Sequence, residues 1–295
     1  MPPWRSKWWW SSTAERGWKV ARVLAAVGLA SRRGAEALIR AGRVRVDGRV
    51  VADPAARCDP ARQRVEVDGR RIPWPPRRVV VALHKPRGFV TTRRDPHAHR
   101  TIYALLRGAP AGLHPIGRLD ADSRGLLLLT NDGLLTQHLT RPAAGVPRVY
   151  RVRVRGVPDP AALDVLRRGV PLADGLTRPA GVRMLGRDPD GAAAELEITL
   201  REGRNRQIRR MLATVGHPVV DLLRVQVGPI HLGDLAEGRW RVLRAAELRR
   251  LVRAAGGGGA NGGGDGAARR STDRNPGGRA PAAGRRRAPL PQRHP

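Results

Sequence analysis

The sequence predicts an α+β protein: a small two-helix-plus-hairpin unit, then a larger domain on a mixed, mainly antiparallel sheet with flanking helices. Three observations carry this reading. Two helical periodicities and a hairpin turn crowd into the first part of the chain. Further on, strands alternate apolar and charged residues at period two, as half-buried strands do. Beyond residue 79, strands and helices follow no regular alternation, which argues against a doubly wound parallel sheet.

Residues 1–18 hold basic residues and Trp8-Trp9-Trp10 but lack the long apolar core and small-residue cleavage site of a signal peptide. They are expected to be a disordered extension. Val20, Val23, Leu24 and Val27 then recur on one face of a helix that Gly28 can close. Ser31 is placed to cap a second helix carrying Leu38 and Ile39, ended by Gly42. Asp47-Gly48, between Arg43-Val44-Arg45-Val46 and Arg49-Val50-Val51, is the strongest short hairpin signal in the chain. A second turn, Asp68-Gly69, precedes the stiff segment Pro73-Trp74-Pro75-Pro76. These signals place the first unit at 19–65, a linker at 66–78 and the larger domain at 79–254.

The larger domain opens on the apolar strand Val79–Leu83, followed by the turn His84-Lys85-Pro86-Arg87-Gly88. Tyr150, Val152 and Val154 alternate with Arg151, Arg153 and Arg155; Leu196, Ile198 and Leu200 alternate with Glu195, Glu197 and Thr199. Ile208, Met211, Leu212 and Val215 return to helical spacing, and Leu248, Leu251 and Val252 suggest a last helix. From 255 to 295 glycine, proline and arginine dominate, too few apolar residues to fold alone, so a disordered basic tail is expected.

The net charge is +31, from 56 Lys and Arg against 25 Asp and Glu. Residues 256–295 hold 8 Arg and 2 Asp, which leaves +25 on residues 1–255. A body that basic attracts polyanions, nucleic acid first among them. Cys58 is the only cysteine, which excludes an intramolecular disulfide and a cysteine-based zinc site. No apolar run approaches the roughly 20 residues that cross a bilayer, so no membrane partner is expected. No glycine-rich nucleotide loop follows a strand, and no His/Cys cluster has ligand spacing; neither a cofactor nor a metal is expected.

The most informative stretch is Gly117-Arg118-Leu119-Asp120-Ala121-Asp122-Ser123-Arg124-Gly125, opening onto Leu126-Leu127-Leu128-Leu129. It sets carboxylates in a glycine-flanked loop at the edge of a buried strand, where a rigid scaffold can present a reactive group. On spacing alone, Asp120 and Asp122 read first as turn residues, as Asp beside Gly often is. The stretch resembles the signature loop of RNA pseudouridine synthases, in the branch that modifies ribosomal RNA and carries an S4-like RNA-binding domain. That resemblance implies that Asp120 is the catalytic nucleophile.

Two further stretches share the resemblance. Arg148-Val149-Tyr150-Arg151-Val152 is similar to the strand bearing the family's active-site tyrosine, although Lys-Thr more often precedes that residue. Arg201-Glu202-Gly203-Arg204-Asn205-Arg206-Gln207-Ile208-Arg209 joins a strand end to a helix N-terminus, which favours anions. It resembles the motif whose basic residue pairs with the catalytic Asp. The resemblance implies Tyr150 against the target base and Arg204 beside Asp120, with Arg206 and Arg209 as second choices, and Arg118 on the RNA near the target. Lys85-Pro86 resembles the family's first short motif and reads as structural; Gly216-His217-Pro218-Val219 also matches and is assigned to packing.

In the first unit, Val23-Leu24-Ala25-Ala26-Val27-Gly28-Leu29-Ala30-Ser31-Arg32-Arg33 and Gly42-Arg43-Val44-Arg45-Val46-Asp47-Gly48 resemble the S4-like domain. Arg22, Arg32, Arg33, Arg40, Arg43 and Arg45 are then the expected RNA contacts, docking on phosphates without reading sequence. The resemblance implies an isomerase acting on ribosomal RNA, of the large subunit or an assembly intermediate, working as a monomer in the cytoplasm and needing no cofactor. The alternative is a non-catalytic S4-like RNA-binding or ribosome-assembly protein, in which Asp120, Tyr150 and Arg204 would have no task. An S4-fused RNA methyltransferase would need a cofactor-binding glycine loop that the chain lacks.

Overall fold

A computed structural model describes residues 17–74, 78–93, 95 and 100–256. The expected extension up to residue 16 and the expected tail from 257 onward lie outside the described residues. In chain order the N-terminal unit holds β1 (Trp18–Lys19), α1 (Val20–Ala26), α2 (Arg32–Arg40), β2 (Val44–Val46), β3 (Arg49–Val51), β4 (Arg57–Cys58), β5 (Val65–Val67) and β6 (Arg70–Arg71). Ser31 caps α2 as its sequence position suggests, its Oγ accepting from the Gly34 amide at 3.1 Å. Asp47 and Gly48 take φ of 49° and 77°, and Asp68 and Gly69 take 51° and 73°. Both pairs thus have the two successive left-handed residues that a tight hairpin requires.

The unit is larger at both ends than the sequence suggests. Its sheet runs β3-β2-β5-β6, so residues 66–71, expected in a linker, are strand and turn. Val65, Val67 and Ile72 are buried in the same core as Val20, Leu24, Ile39 and Val44. Trp18, expected in the disordered extension, is 7% exposed in that core; β1 pairs with β4, and the Trp18 ring meets Trp74 edge-on at 6.0 Å. Strands of two or three residues are too short to show a period, so the sequence does not mark these boundaries.

The larger domain continues with β7 (Val80–Lys85), β8 (Phe89–Val90), β9 (Arg100–Thr101), β10 (His114–Pro115), β11 (Arg124–Thr130), α3 (Gly133–Thr140), β12 (Arg148–Arg155) and α4 (Pro160–Arg168). It then runs through β13 (Pro171–Leu172), β14 (Gly175–Leu176), β15 (Gly181–Arg187), β16 (Ala193–Leu200), α5 (Gln207–Thr214), β17 (Val219–Val227), β18 (Ile230–His231), β19 (Trp240–Val242) and α6 (Ala245–Gly256). The main sheet has the order β15-β16-β12-β17-β11-β7-β19, with β10 added to β11 and β18 to β17. Every pairing in it is antiparallel except β11 with β17. The expected mixed, mainly antiparallel α+β architecture is therefore observed.

Strand β11 is covered on both faces. Leu126 and Leu128 join a core with Leu135 and Leu139 of α3 and Leu251 of α6. Leu127 and Leu129 face the opposite way, against Val81, Leu83, Ile102, Leu113 and Leu119. A third core lies under β12, β16, α4 and α5. The one parallel junction within the main sheet puts Gly125 opposite Arg224. A Cβ on Gly125, whose φ is +111°, would stand 2.3 Å from the Arg224 carbonyl oxygen, so only glycine lets the two backbones approach this closely.

Candidate active site

The loop between β10 and β11 is fastened through its own backbone. Lys85, fully buried at the end of β7, donates from Nζ to the carbonyl oxygens of Asp120 at 2.9 Å and Ser123 at 2.7 Å, and to that of Pro86 at 3.0 Å. Arg224, 3% exposed, donates Nε to the Leu126 carbonyl at 2.7 Å, and its Nη1 lies 3.5 Å from that of Arg118. Thr91 Oγ1 donates to the Leu119 carbonyl at 2.7 Å, and the Leu119 side chain is buried in the core below. Two buried cations and a threonine thus secure the main chain at residues 118, 119, 120, 123 and 126. Burial pulls the Lys85 ammonium down to about 8, against the opposing pull of Asp120 and Asp122.

What this leaves at the surface differs between the two carboxylates. Asp120 is half-buried, and among the described residues its side chain enters no hydrogen bond or ion pair. Asp122 is committed: its Oδ2 lies 3.0 Å from Arg206 Nη2 and 3.2 Å from Arg209 Nε. Burial pushes the Asp122 carboxyl up, but the two guanidinium groups outweigh it and hold the group below the usual carboxylate range. Arg209 also donates to the Asp122 carbonyl at 3.1 Å. Beside them, Arg124 pairs with Asp221 at 2.6 Å, and Arg87 shares the same carboxylate.

Arg204 goes elsewhere. It donates to the carbonyls of Asp174 at 3.1 Å, Gly175 at 2.8 Å and Leu176 at 2.5 Å, and its Nε lies 3.4 Å from Glu202. It therefore clamps the β13–β14 hairpin instead of pairing with Asp120. The cause is local: Arg206 takes a left-handed φ of 47° at the N-cap of α5. That turn separates Arg204 from Arg206 and Arg209, and the latter two reach the loop.

Tyr150 lies half-buried on β12, next to a register shift against β17, and packs on the core that contains Leu119. It thus shares the core on which the Asp120 loop rests. Burial lowers the pKa of Arg148, and the neighbouring Arg224 cation acts in the same direction. Arg118 is exposed. Lys85 reads from sequence only as a motif residue, and Arg224, inside an ordinary strand, carries no local signal at all.

The expected RNA contacts divide in the same way. Arg32 and Arg33 are exposed in the first turn of α2. Arg22 stacks on Trp18 at 4.4 Å. Arg43 forms a bidentate pair with Asp68 at 2.8 and 2.6 Å, Arg45 donates to the Gly48 carbonyl at 3.0 Å, and Arg40 lies 3.7 Å from Glu36.

The chain matches two family models, RNA pseudouridylate synthase over residues 79–214 and S4 domain over residues 19–63. It is 39% identical over 237 residues to an uncharacterized RNA pseudouridine synthase of Aquifex aeolicus, covering 80% of this chain and 94% of that protein. It is 37% identical over 233 residues to the ribosomal large subunit pseudouridine synthase B of Bacillus subtilis, covering 79% and 95%. Among solved structures, the crystal structure of a pseudouridylate synthase superposes with a TM-score of 0.56 at 28% identity, over 80% of this chain and all of the other.

Proposed function

The chain belongs to the RNA pseudouridylate synthase family, and from that membership we propose that it isomerises a specific uridine of ribosomal RNA to pseudouridine, with Asp120 as the nucleophile. In this reaction the bond from ribose C1′ to uracil N1 breaks, the base turns, and C1′ joins C5. The proton leaves C5 and N1 gains one, so atoms and electrons balance within the substrate. Attack at C1′, addition to the base and proton removal from the sugar are the first steps open to a carboxylate. Each needs an oxygen that is free to approach.

The observation that carries this reading is the contrast within one loop. The Asp122 carboxylate is held by Arg206 and Arg209, whereas the Asp120 carboxylate is uncommitted among the described residues while its backbone is fixed by Lys85. A reactive group needs that combination of fixed position and free oxygens. A uridine in folded RNA must leave its stack to reach Asp120, and Tyr150 supplies the aromatic surface for the flipped base. Arg206 and Arg209 take the place beside the loop that the sequence suggested for Arg204. Arg118, exposed two residues before Asp120, contacts the RNA near the target, and Arg32 and Arg33 hold phosphates from the N-terminal unit.

The large-subunit name of the Bacillus subtilis relative favours large-subunit ribosomal RNA, or an assembly intermediate containing it, as substrate. No helix among the described residues is long and apolar enough to cross a membrane. We place the enzyme in the cytoplasm as a monomer. Mapping pseudouridines in ribosomal RNA from cells with and without the gene tests the reading. One or a few sites should revert to uridine when the gene is absent, and an unchanged map contradicts the proposal.

A further inference from the structure

Thr91 bonds to Leu119, the residue before Asp120. The two residues that follow it, Thr92 and Arg93, turn toward the N-terminal unit. With Tyr103 of the larger domain and Ser31 and Arg33 of the N-terminal unit they line a cleft of about 740 Å³. The backbones of the two units meet close by: a Cβ on Gly112 would lie 2.6 Å from the Cα of Gly28. The next residue, Leu113, fixes the cleft wall. Its carbonyl accepts from Arg93 Nη2 at 2.8 Å and from the Tyr103 hydroxyl at 3.3 Å, and the Arg93 guanidinium lies 4.7 Å above the Tyr103 ring. Arg93 is thereby held as a flat cation on an aromatic support. Arg33 contributes a second, exposed guanidinium that enters no ion pair among the described residues.

Among the described residues the lining is therefore two guanidinium groups, three hydroxyls and one aromatic ring, with no carboxylate. Guanidinium groups converging from two elements suit the non-bridging oxygens of a phosphodiester, which accept bidentate hydrogen bonds. We propose that this cleft holds the sugar–phosphate backbone of the substrate strand as it passes from the N-terminal unit to Asp120, with one phosphate gripped between Arg33 and Arg93. Arg93 is two residues from Thr91, at most about 7 Å along the chain, so the gripped phosphate belongs to a nucleotide near the target. The contact sets position and not sequence. This rests on the reading of RNA as substrate and adds to it a second site, shared by the two units.

The test uses the full-length protein, in vitro transcripts of both ribosomal RNAs, and the variants Arg33→Gln, Arg93→Gln, the double variant and Arg93→Lys. The double variant should raise KM about tenfold, the scale of one charged hydrogen-bonded contact, and leave kcat within about twofold. Its plot of log affinity against log salt should flatten by about 0.7 for one single-stranded phosphate. Because both side chains hold the same phosphate, the two single effects should not multiply. Arg93→Lys should recover most of the salt slope. A double variant with wild-type KM and salt slope overturns the proposal, as does a fall in kcat with the slope unchanged. Arg33 is exposed, so if Arg93→Gln does not fold, an Arg33→Gln variant with wild-type KM and salt slope overturns the proposal. Should the wild type bind the transcripts without converting any uridine, the isomerase reading fails, while the salt slopes still judge the cleft.

Discussion

The ammonium of Lys85 lies 2.9 Å from the main-chain oxygen of Asp120, inside a pocket that leaves the lysine no exposed surface. A buried lysine is costly, and here its three donors are all spent on carbonyls at residues 86, 120 and 123. Its task is therefore to hold the backbone that carries the proposed nucleophile. Lys85→Met keeps the bulk and removes the donors. It should lower kcat on the order of tenfold or more through misplacement of Asp120, with a smaller change in KM. Steady-state kinetics on undermodified ribosomal RNA measure both.

The same lysine gives a pH signature. Its folded pKa, about 8, lies below the unfolded value near 10.5, so between those two pH values the unfolded chain binds a proton that the folded chain has released. Stability contributed by this group therefore rises with pH across that window and is flat below it. The difference in thermal midpoint between wild type and Lys85→Met should shift in favour of the wild type from pH 7 to pH 9.5. Scanning calorimetry at the two pH values reads it directly.

Gly125→Ala tests the parallel junction. The added Cβ would meet the Arg224 carbonyl oxygen at 2.3 Å, on a backbone already at φ +111°. Neither strand can yield without disturbing the bonds from Arg224 to Leu126 and Arg118. The substitution should cost about 2–4 kcal/mol of stability, combining backbone strain with overpacking. Urea unfolding measures it, with the midpoint falling at unchanged slope.

Much of this arrangement is legible in the sequence where local chemistry decides. Ser31 announces a helix, Asp47-Gly48 a hairpin, and the alternation through Tyr150–Arg155 and Glu195–Leu200 two strands; the structure has each of them. What the sequence hides is settled by long-range geometry. The resemblance prefers Arg204 to Arg206, but a single left-handed residue at Arg206 sends the two to different partners, and it is Arg206 that reaches the loop. Arg224 sits in an apolar strand with nothing to mark it, because its partners are carbonyls some hundred residues away. Trp18 and residues 66–71 fall outside the bounds that the sequence suggests for the first unit, because strands this short show no period.

The arginines of the α5 entry should separate in function. Arg209→Met removes the ion pair with Asp122 and the bond to its carbonyl, loosening the loop beside Asp120, and should reduce kcat clearly. Arg204→Met frees the β13–β14 hairpin instead and should lower stability by about 1–3 kcal/mol with a smaller loss of turnover. Parallel unfolding and turnover measurements on the two variants give the comparison. Equal losses of turnover would contradict the division of roles.

The central claim is that Asp120 performs the chemistry, and Asp120→Asn tests it most directly. Asparagine keeps the size and turn-forming ability of aspartate and removes the charge and the nucleophile. Asp122→Asn is a weak control, because the Asp122 carboxylate is paired with two arginines; binding and unfolding of Asp120→Asn itself serve better. The measurement is pseudouridine formed in ribosomal RNA taken from cells lacking the gene. The account predicts no detectable pseudouridine from Asp120→Asn, with RNA affinity and folding like those of the wild type. Pseudouridine formed by that variant at a rate comparable to the wild type would contradict it.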